Sequence, residues 1–185
     1  MSFDLDASLR RLKPERLEPR RLKALPRENL RFPDQVPRFG REILIDTCVT
    51  IDVLQNRAPA ALIGLLETRI INHSTVSLAE LTHLFGRLDP AHPDTAATLT
   101  AIRRTITALP AHRLATPSAR AYGEAGILAG MVARVTNRKA DQALLNDALL
   151  HGQAIEQGHA LLTRNSVDFN LLDRLQPGHV IVYER

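Results

Sequence analysis

The sequence predicts an α/β fold: a central, mainly parallel sheet with helices on both faces. Three observations predict it. Short aliphatic runs alternate with stretches of helical period along most of the chain. The runs are continuously apolar, as strands covered on both faces must be. Breakers and caps fall between them, at Pro59, Pro93, Pro110 and Gly158.

In chain order, "EILIDT" from Glu42 is the first strand, and "VTIDVLQN" continues as a helix that Pro59 interrupts or ends. "ALIGLLETR" is helical and "IINHSTV" is the second strand. "SLAELTHLFGRL" and "DTAATLTAIRRTITAL" are amphipathic helices. "HRLAT" is a short third strand. Thr116 as N-cap and Pro117 at the first helical position are expected to start the helix "SARAYGEAGILAGMVARV". "DQALLNDALLHGQAIEQG" is a helix stopped by Gly158, "HALLT" is the fourth strand and "HVIVYE" the last. In sheets of this kind the binding crevice lies beyond the carboxyl ends of the strands.

Residues 1–41 differ in kind. They hold prolines at 14, 19, 26, 33 and 37, too many for a long helix. Residues 1–42 carry 11 Lys/Arg and 7 Asp/Glu, whereas residues 43–185 carry 13 of each, so the whole net charge of +4 sits in this arm. Such a segment suits a polyanion or an acidic protein surface, or a solvated extension. Its leucines at 9, 12, 17, 22, 25 and 30 favour packing on the core over a free tail. The expected organisation is a proline-rich basic arm, 1–41, and one folded domain, 42–185.

Composition excludes several classes. With 4% aromatics and no Trp, the chain lacks the material of an aromatic stacking platform for single strands. Cys48 is the only cysteine, so there is no intrachain disulfide and no multi-cysteine zinc site. No apolar run approaches the roughly 18 residues that span a bilayer. The first residues have no apolar signal region. A cytoplasmic protein is expected.

Chemistry enters with the carboxylates. Asp46 ends the first strand, Glu80 follows the second, and Asn165 and Asp168 follow the fourth in "LLTRNSVDF". Asp147 borders the apolar face of its helix in "LLNDALL". Taken singly, each has a plainer reading. Asp46 is a helix N-cap, Ser77-x-x-Glu80 is a capping box, Asp147 is a solvated helix residue, and Asp168 is a turn or cap. Asp52, Asp141 and Asp173 read as surface or capping groups. Taken jointly, carboxylates that meet in one crevice repel each other unless a cation sits among them. Hard divalent cations want such oxygen ligands. That chemistry suits phosphodiester hydrolysis, with Thr163 and Asn165 available to orient a water. Cys48 is a small, partly buried filler with no activating base in view.

At "ILIDTCVTIDVL", "STVSLAEL", "NDALLHGQAI" and "LLTRNSVDF" the sequence resembles the PIN domain family, and within it the VapC-type toxins of type II toxin–antitoxin pairs. The similarity runs from about Glu42 onward. The resemblance implies an α/β/α sandwich with a metal-dependent endoribonuclease site, using Mg²⁺ or Mn²⁺. Its acidic positions map onto Asp46, Glu80 and Asp147, with the fourth in "TRNSVDF". Many members carry Asp where Asn165 stands, which makes Asp168 the expected fourth carboxylate and metal ligand. The resemblance also implies an RNA substrate, an antitoxin that blocks the crevice with a basic side chain, and a homodimer; the arm is not part of the usual pattern. Two alternatives stay open: an RNA-processing PIN nuclease without an antitoxin, and a non-catalytic PIN-like interaction module. A phosphohydrolase with an aspartyl nucleophile is excluded, because Cys48 stands where its second acid belongs.

Overall fold

The computed structural model describes residues 3–18 and 22–185 of the chain. Its strands are β1 (Ile43–Ile45), β2 (Ile71–Ser74), β3 (Leu114–Ala115), β4 (Ala160–Thr163) and β5 (Val180–Val182). They form one sheet in the order β3–β2–β1–β4–β5, and every pairing is parallel. The helices are α1 (Leu5–Leu12), α2 (Thr47–Leu54), α3 (Ala60–Thr68), α4 (Thr75–Arg87), α5 (Thr95–Ala108), α6 (Ala119–Thr136), α7 (Gln142–Gln157) and α8 (Ser166–Leu175).

Alternation along the strands builds two cores, one on each face of the sheet. Leu44, Leu161, Val180 and Val182 point to one side, where α6, α7 and α8 supply Leu128, Val132, Leu150 and Phe169. Ile43, Ile45, Leu162 and Ile181 point to the other, against Val49, Leu62 and Leu65 of α2 and α3. The result is three layers, helices–sheet–helices, as the strand pattern predicts.

Three local expectations are corrected. The helix after β2 begins earlier than expected: Ser74 is its N-cap, accepting from the Val76 N–H at 3.1 Å, and Thr75 is already helical. Ser77 therefore lies inside α4 and forms no capping box, and its hydroxyl is buried with no hydrogen-bond partner among the described residues. The N-cap of α6 is Ser118, not Thr116; its hydroxyl accepts from the Ala121 N–H at 3.1 Å. Helix α8 follows the fourth strand, where the sequence suggested only a turn or cap; Asn165 is its N-cap. Gly158 stops α7 as expected, at φ +70°, a conformation open to glycine.

The described part of the arm lies on the folded core; Pro19 falls outside the described residues. Helix α1 packs on α6, with Leu12 entering the core and Leu17, Leu22 and Leu30 against it. The buried Glu124 of α6 pairs with Arg11 and accepts from Ser8 Oγ at 2.8 Å. Gly123 leaves room for the Phe3 ring, which a Cβ there would meet at 2.2 Å. Further on, the arm runs along the outer edge of the sheet. The Asn170 side chain bonds both the N–H and the C=O of Leu25, and the Val182 N–H donates to the Arg31 carbonyl at 2.8 Å. The free edge of β5 is thus covered, which removes a template for unwanted strand pairing.

Candidate active site

The strand order fixes where a site belongs. From β1 the chain moves to β2 and β3 on one side, then crosses to β4 and β5 on the other. The crevice opens between β1 and β4, beyond their carboxyl ends, where the two connections diverge. Asp46 leaves β1 there, and Thr163, Arg164 and Asn165 leave β4.

Asp46 occupies the N-cap position of α2 but makes no side-chain capping bond. Its carboxylate is nearly buried and turned toward β4. Oδ2 accepts from Thr163 Oγ1 at 2.6 Å and from the Cys48 thiol at 3.0 Å. Thr163 spends its one proton on Asp46 and accepts from the Asn165 N–H at 2.9 Å, so it holds the carboxylate rather than a water. Burial, and then the neighbouring Asp46 charge, push the Cys48 thiol up to about 12. It stays protonated and donates; it is not a nucleophile.

Glu80, one turn and more into α4, faces the same crevice. Its two oxygens accept from Thr47 Oγ1 and from Asn146 Nδ2, the latter at 2.7 Å. Asp147, beside Asn146 on α7, accepts from Asn165 Nδ2 at 2.8 Å. The same amide reaches Asp168 Oδ2 at 3.0 Å, and Asn165 Oδ1 caps α8 by accepting from the Asp168 N–H at 3.2 Å. One neutral side chain therefore bridges two carboxylates and starts a helix. Asp168 is not free as the sequence suggested: Arg138, between α6 and α7, pairs with it.

Electrostatics shows how these groups sense one another. Asp147 is pushed up to about 8, first by burial and then by the charges of Asp46, Asp168 and Glu80; only the Asn165 amide opposes this. All four expected carboxylates thus act on one place. Their own partners are neutral donors, except for Arg138 on Asp168. Among the described residues no three His, Cys, Asp or Glu side chains stand close enough, as placed, to enclose an ion. The donor set is nonetheless all hard oxygen, and three of the four carboxylates lack a cationic partner among these residues. It fits a divalent cation.

A cleft of about 740 Å³ adjoins Glu80 between α4 and the start of α7. Its walls include Ile51, Val76, Leu84, Leu145 and Leu149, with His83, Arg87 and Tyr122 also lining it.

No protein-family profile and no curated protein matches the sequence. Solved structures do. VapBC2 from Rickettsia felis, determined bound to a DNA fragment from its promoter, aligns at 17% identity with a TM-score of 0.56, covering 77% of this chain and 98% of that one. FitAcB from Neisseria gonorrhoeae aligns at 19% and 0.55, covering 75% and 96%. FitAB bound to an IR36 DNA fragment aligns at 18% and 0.51, covering 77% and 98%. The chain has a PIN-like fold.

Within this PIN-like fold, the sequence reading missed the residues that hold the acids. Thr47, Asn146 and Cys48 are polar or small groups next to candidate acids, and that adjacency was the only signal. Asp52 is a plain correction. Expected as a surface or capping group, it is fully buried on α2 and accepts from Arg164 Nη1 at 2.6 and 2.8 Å, from the Tyr183 hydroxyl at 2.8 Å and from Arg185. Burial alone would raise its pKa; the hydrogen bonds from Arg185 and Tyr183 and the charge of Arg164 outweigh it and hold the group below its usual value. Asp141 caps α7 as expected, accepting from the Leu144 N–H, whereas Asp173 lies inside α8 and accepts from the Gly178 N–H of the loop that follows.

Proposed function

We propose that this protein is a divalent-metal-dependent endoribonuclease of toxin type, held inactive by a cognate antitoxin. One observation supports the reading: Asp147 feels the charges of Asp46, Asp168 and Glu80 beside the switch point of a PIN-like sheet, and three of these four carboxylates have no positive partner among the described residues. The VapBC2 and FitAB neighbours, toxin–antitoxin systems with this fold, support it.

Asp46, Glu80 and Asp147 would hold Mg²⁺ or Mn²⁺, with Asp168 adding its charge from the rim beside Arg138. A divalent cation there supplies a more acidic bound water and positive charge for the phosphoryl oxygens. The chain's own residues set the geometry. Thr163 and Cys48 fix Oδ2 of Asp46, Thr47 and Asn146 fix Glu80, and Asn165 spaces Asp147 from Asp168. Second-sphere donors of this kind orient ligands and are worth 10–100-fold in affinity or activity as a rough guide.

Residues 42–185 form the catalytic unit in this reading, and the arm braces it. The antitoxin lays an apolar segment along the cleft beside Glu80 and presents a basic side chain, most simply Arg, to the acids. A homodimer would set two such sites in one groove. Among the described residues no helix is long and apolar enough to cross a membrane.

Single-turnover cleavage of RNA with Mn²⁺ tests the reading. Wild type cleaves, and Asp147→Asn is slower by about 100-fold or more, as expected for loss of a group that supports metal-activated water. Near-normal cleavage by the variant would remove Asp147 from the site.

A further inference from the structure

Asp52 is fully buried close to the site, and it carries more positive charge than it needs. A single guanidinium would neutralise it. It has two, from Arg164 and Arg185, and a phenol besides. Counted over these side chains, positive charge exceeds negative by one. Glu184, next along the chain from Arg185, does not cancel it, because its carboxylate is taken by Arg27 at 2.8 Å.

Both arginines reach the surface. Their side chains are 36% and 38% exposed, against 0% for Asp52. Neither uses all its donors. Arg164 bonds Asp52 through Nη1 alone, and Arg185 through Nε and Nη2. Among the described residues, Nε and Nη2 of Arg164 and Nη1 of Arg185 have no acceptor. The forks are held in place from the buried side, so little rotamer freedom remains to be lost when an outer ligand binds.

Position gives them a ligand. Arg164 lies between Thr163, which holds Asp46, and Asn165, which holds Asp147 and Asp168. Its own N–H donates to Cys48 Sγ at 3.2 Å, tying the turn to the start of α2. A polyanion approaching four carboxylates meets an unfavourable field unless fixed cations stand beside them. Paired guanidinium forks match phosphate oxygens in geometry as well as charge.

We propose that Arg164 and Arg185, anchored on Asp52, form a phosphate-binding clamp for the RNA strand beside the scissile bond. The clamp rests on the ribonuclease reading and names a substrate subsite for it. Asp52, Arg164 and Tyr183 also tie α2, the β4–α8 turn and the end of β5 together, so Asp52 is a positioning residue: it touches the clamp and not the substrate.

The test is the salt dependence of binding to a fluorescent single-stranded RNA, with Ca²⁺ present, followed by anisotropy. Full-length wild type is compared with Arg185→Gln, Arg164→Gln and Arg185→Lys, and Mn²⁺-dependent RNA cleavage by wild type is measured in parallel. Removing one charged partner of a phosphate lowers the slope of log K against log salt by about 0.7. Both Gln variants should show that drop, while Arg185→Lys, which keeps the charge, retains the slope. Arg185→Gln leaves Arg164 and Tyr183 on Asp52, so it tests the clamp even if Arg164→Gln fails to fold. If wild type cleaves RNA and Arg185→Gln keeps the full slope, the clamp is wrong and the nuclease reading stands. If wild type neither binds nor cleaves RNA, both fall.

Discussion

Asp46 and Asp52 sit six residues apart, at the start and near the end of the same short helix, and their surroundings are opposite. Asp52 is met by two guanidiniums and a phenol, and its charge is more than balanced. Asp46 is met by a hydroxyl and a thiol, both neutral, and its charge is felt at Asp147. Both lie in low-dielectric surroundings where an unbalanced charge is costly. The difference separates a carboxylate balanced within the fold from carboxylates that the fold leaves without a cationic partner among the described residues. Burial alone does not distinguish them; the partner does.

Breaking the comparison from its balanced side gives the largest effect on stability. Asp52→Asn removes the charge that two arginines share. Loss of one member of a buried pair costs about 3–5 kcal/mol, and the half-exposed arginines can turn to water, so about 2–3 kcal/mol is expected in urea denaturation. Asp46→Asn keeps an acceptor for Thr163 and should move stability by less than about 1 kcal/mol. Equal losses in the two variants would erase the distinction.

The pH dependence sharpens it. In metal-free protein the Asp147 carboxyl stands at about 8, above its ordinary value of 3.8. The folded state therefore holds that proton more tightly than the unfolded chain. Its contribution is complete below pH 3.8 and is lost as pH rises to about 8. Thermal melts in EDTA should fall more steeply across this window for wild type than for Asp147→Asn; parallel profiles would mean that the carboxylates do not crowd one another.

The smallest structural effect belongs to Glu80→Gln. Gln still pairs with Thr47 and Asn146 by exchanging roles with one of them, so the melting temperature should stay close to wild type while RNA cleavage collapses. Full activity in this variant would leave Glu80 a mere bridge between α2, α4 and α7.

Much of this was legible in the sequence because local pattern sufficed. Continuous apolar runs marked β1, β4 and β5, and the sheet rule placed Asp46, Asn165 and Asp168 at one rim. Glu80 was ambiguous for a local reason: Ser77-x-x-Glu80 satisfies the capping pattern, and only the early start at Ser74 shows that the helix has begun before it. Asp52 was not legible. Its partners are 112 and 133 residues away, and no local pattern announces them. One signal was present: Asp52 lies between Ile51 and Val53 in an otherwise uncharged helix, where a buried carboxylate calls for a distant cation. Arg138 on Asp168 and the Arg11–Glu124 latch of the arm were hidden in the same way, as ion pairs between residues far apart in the sequence.

The most direct test of the central claim is calorimetric titration of Mn²⁺ into the full-length protein. Wild type and Arg185→Gln should show the same saturable binding near neutral pH. Asp46→Asn and Asp147→Asn should lose most of it while remaining folded. Undiminished Mn²⁺ binding in both Asn variants, or none in wild type, would contradict the assignment of the acidic crevice as a divalent-cation site.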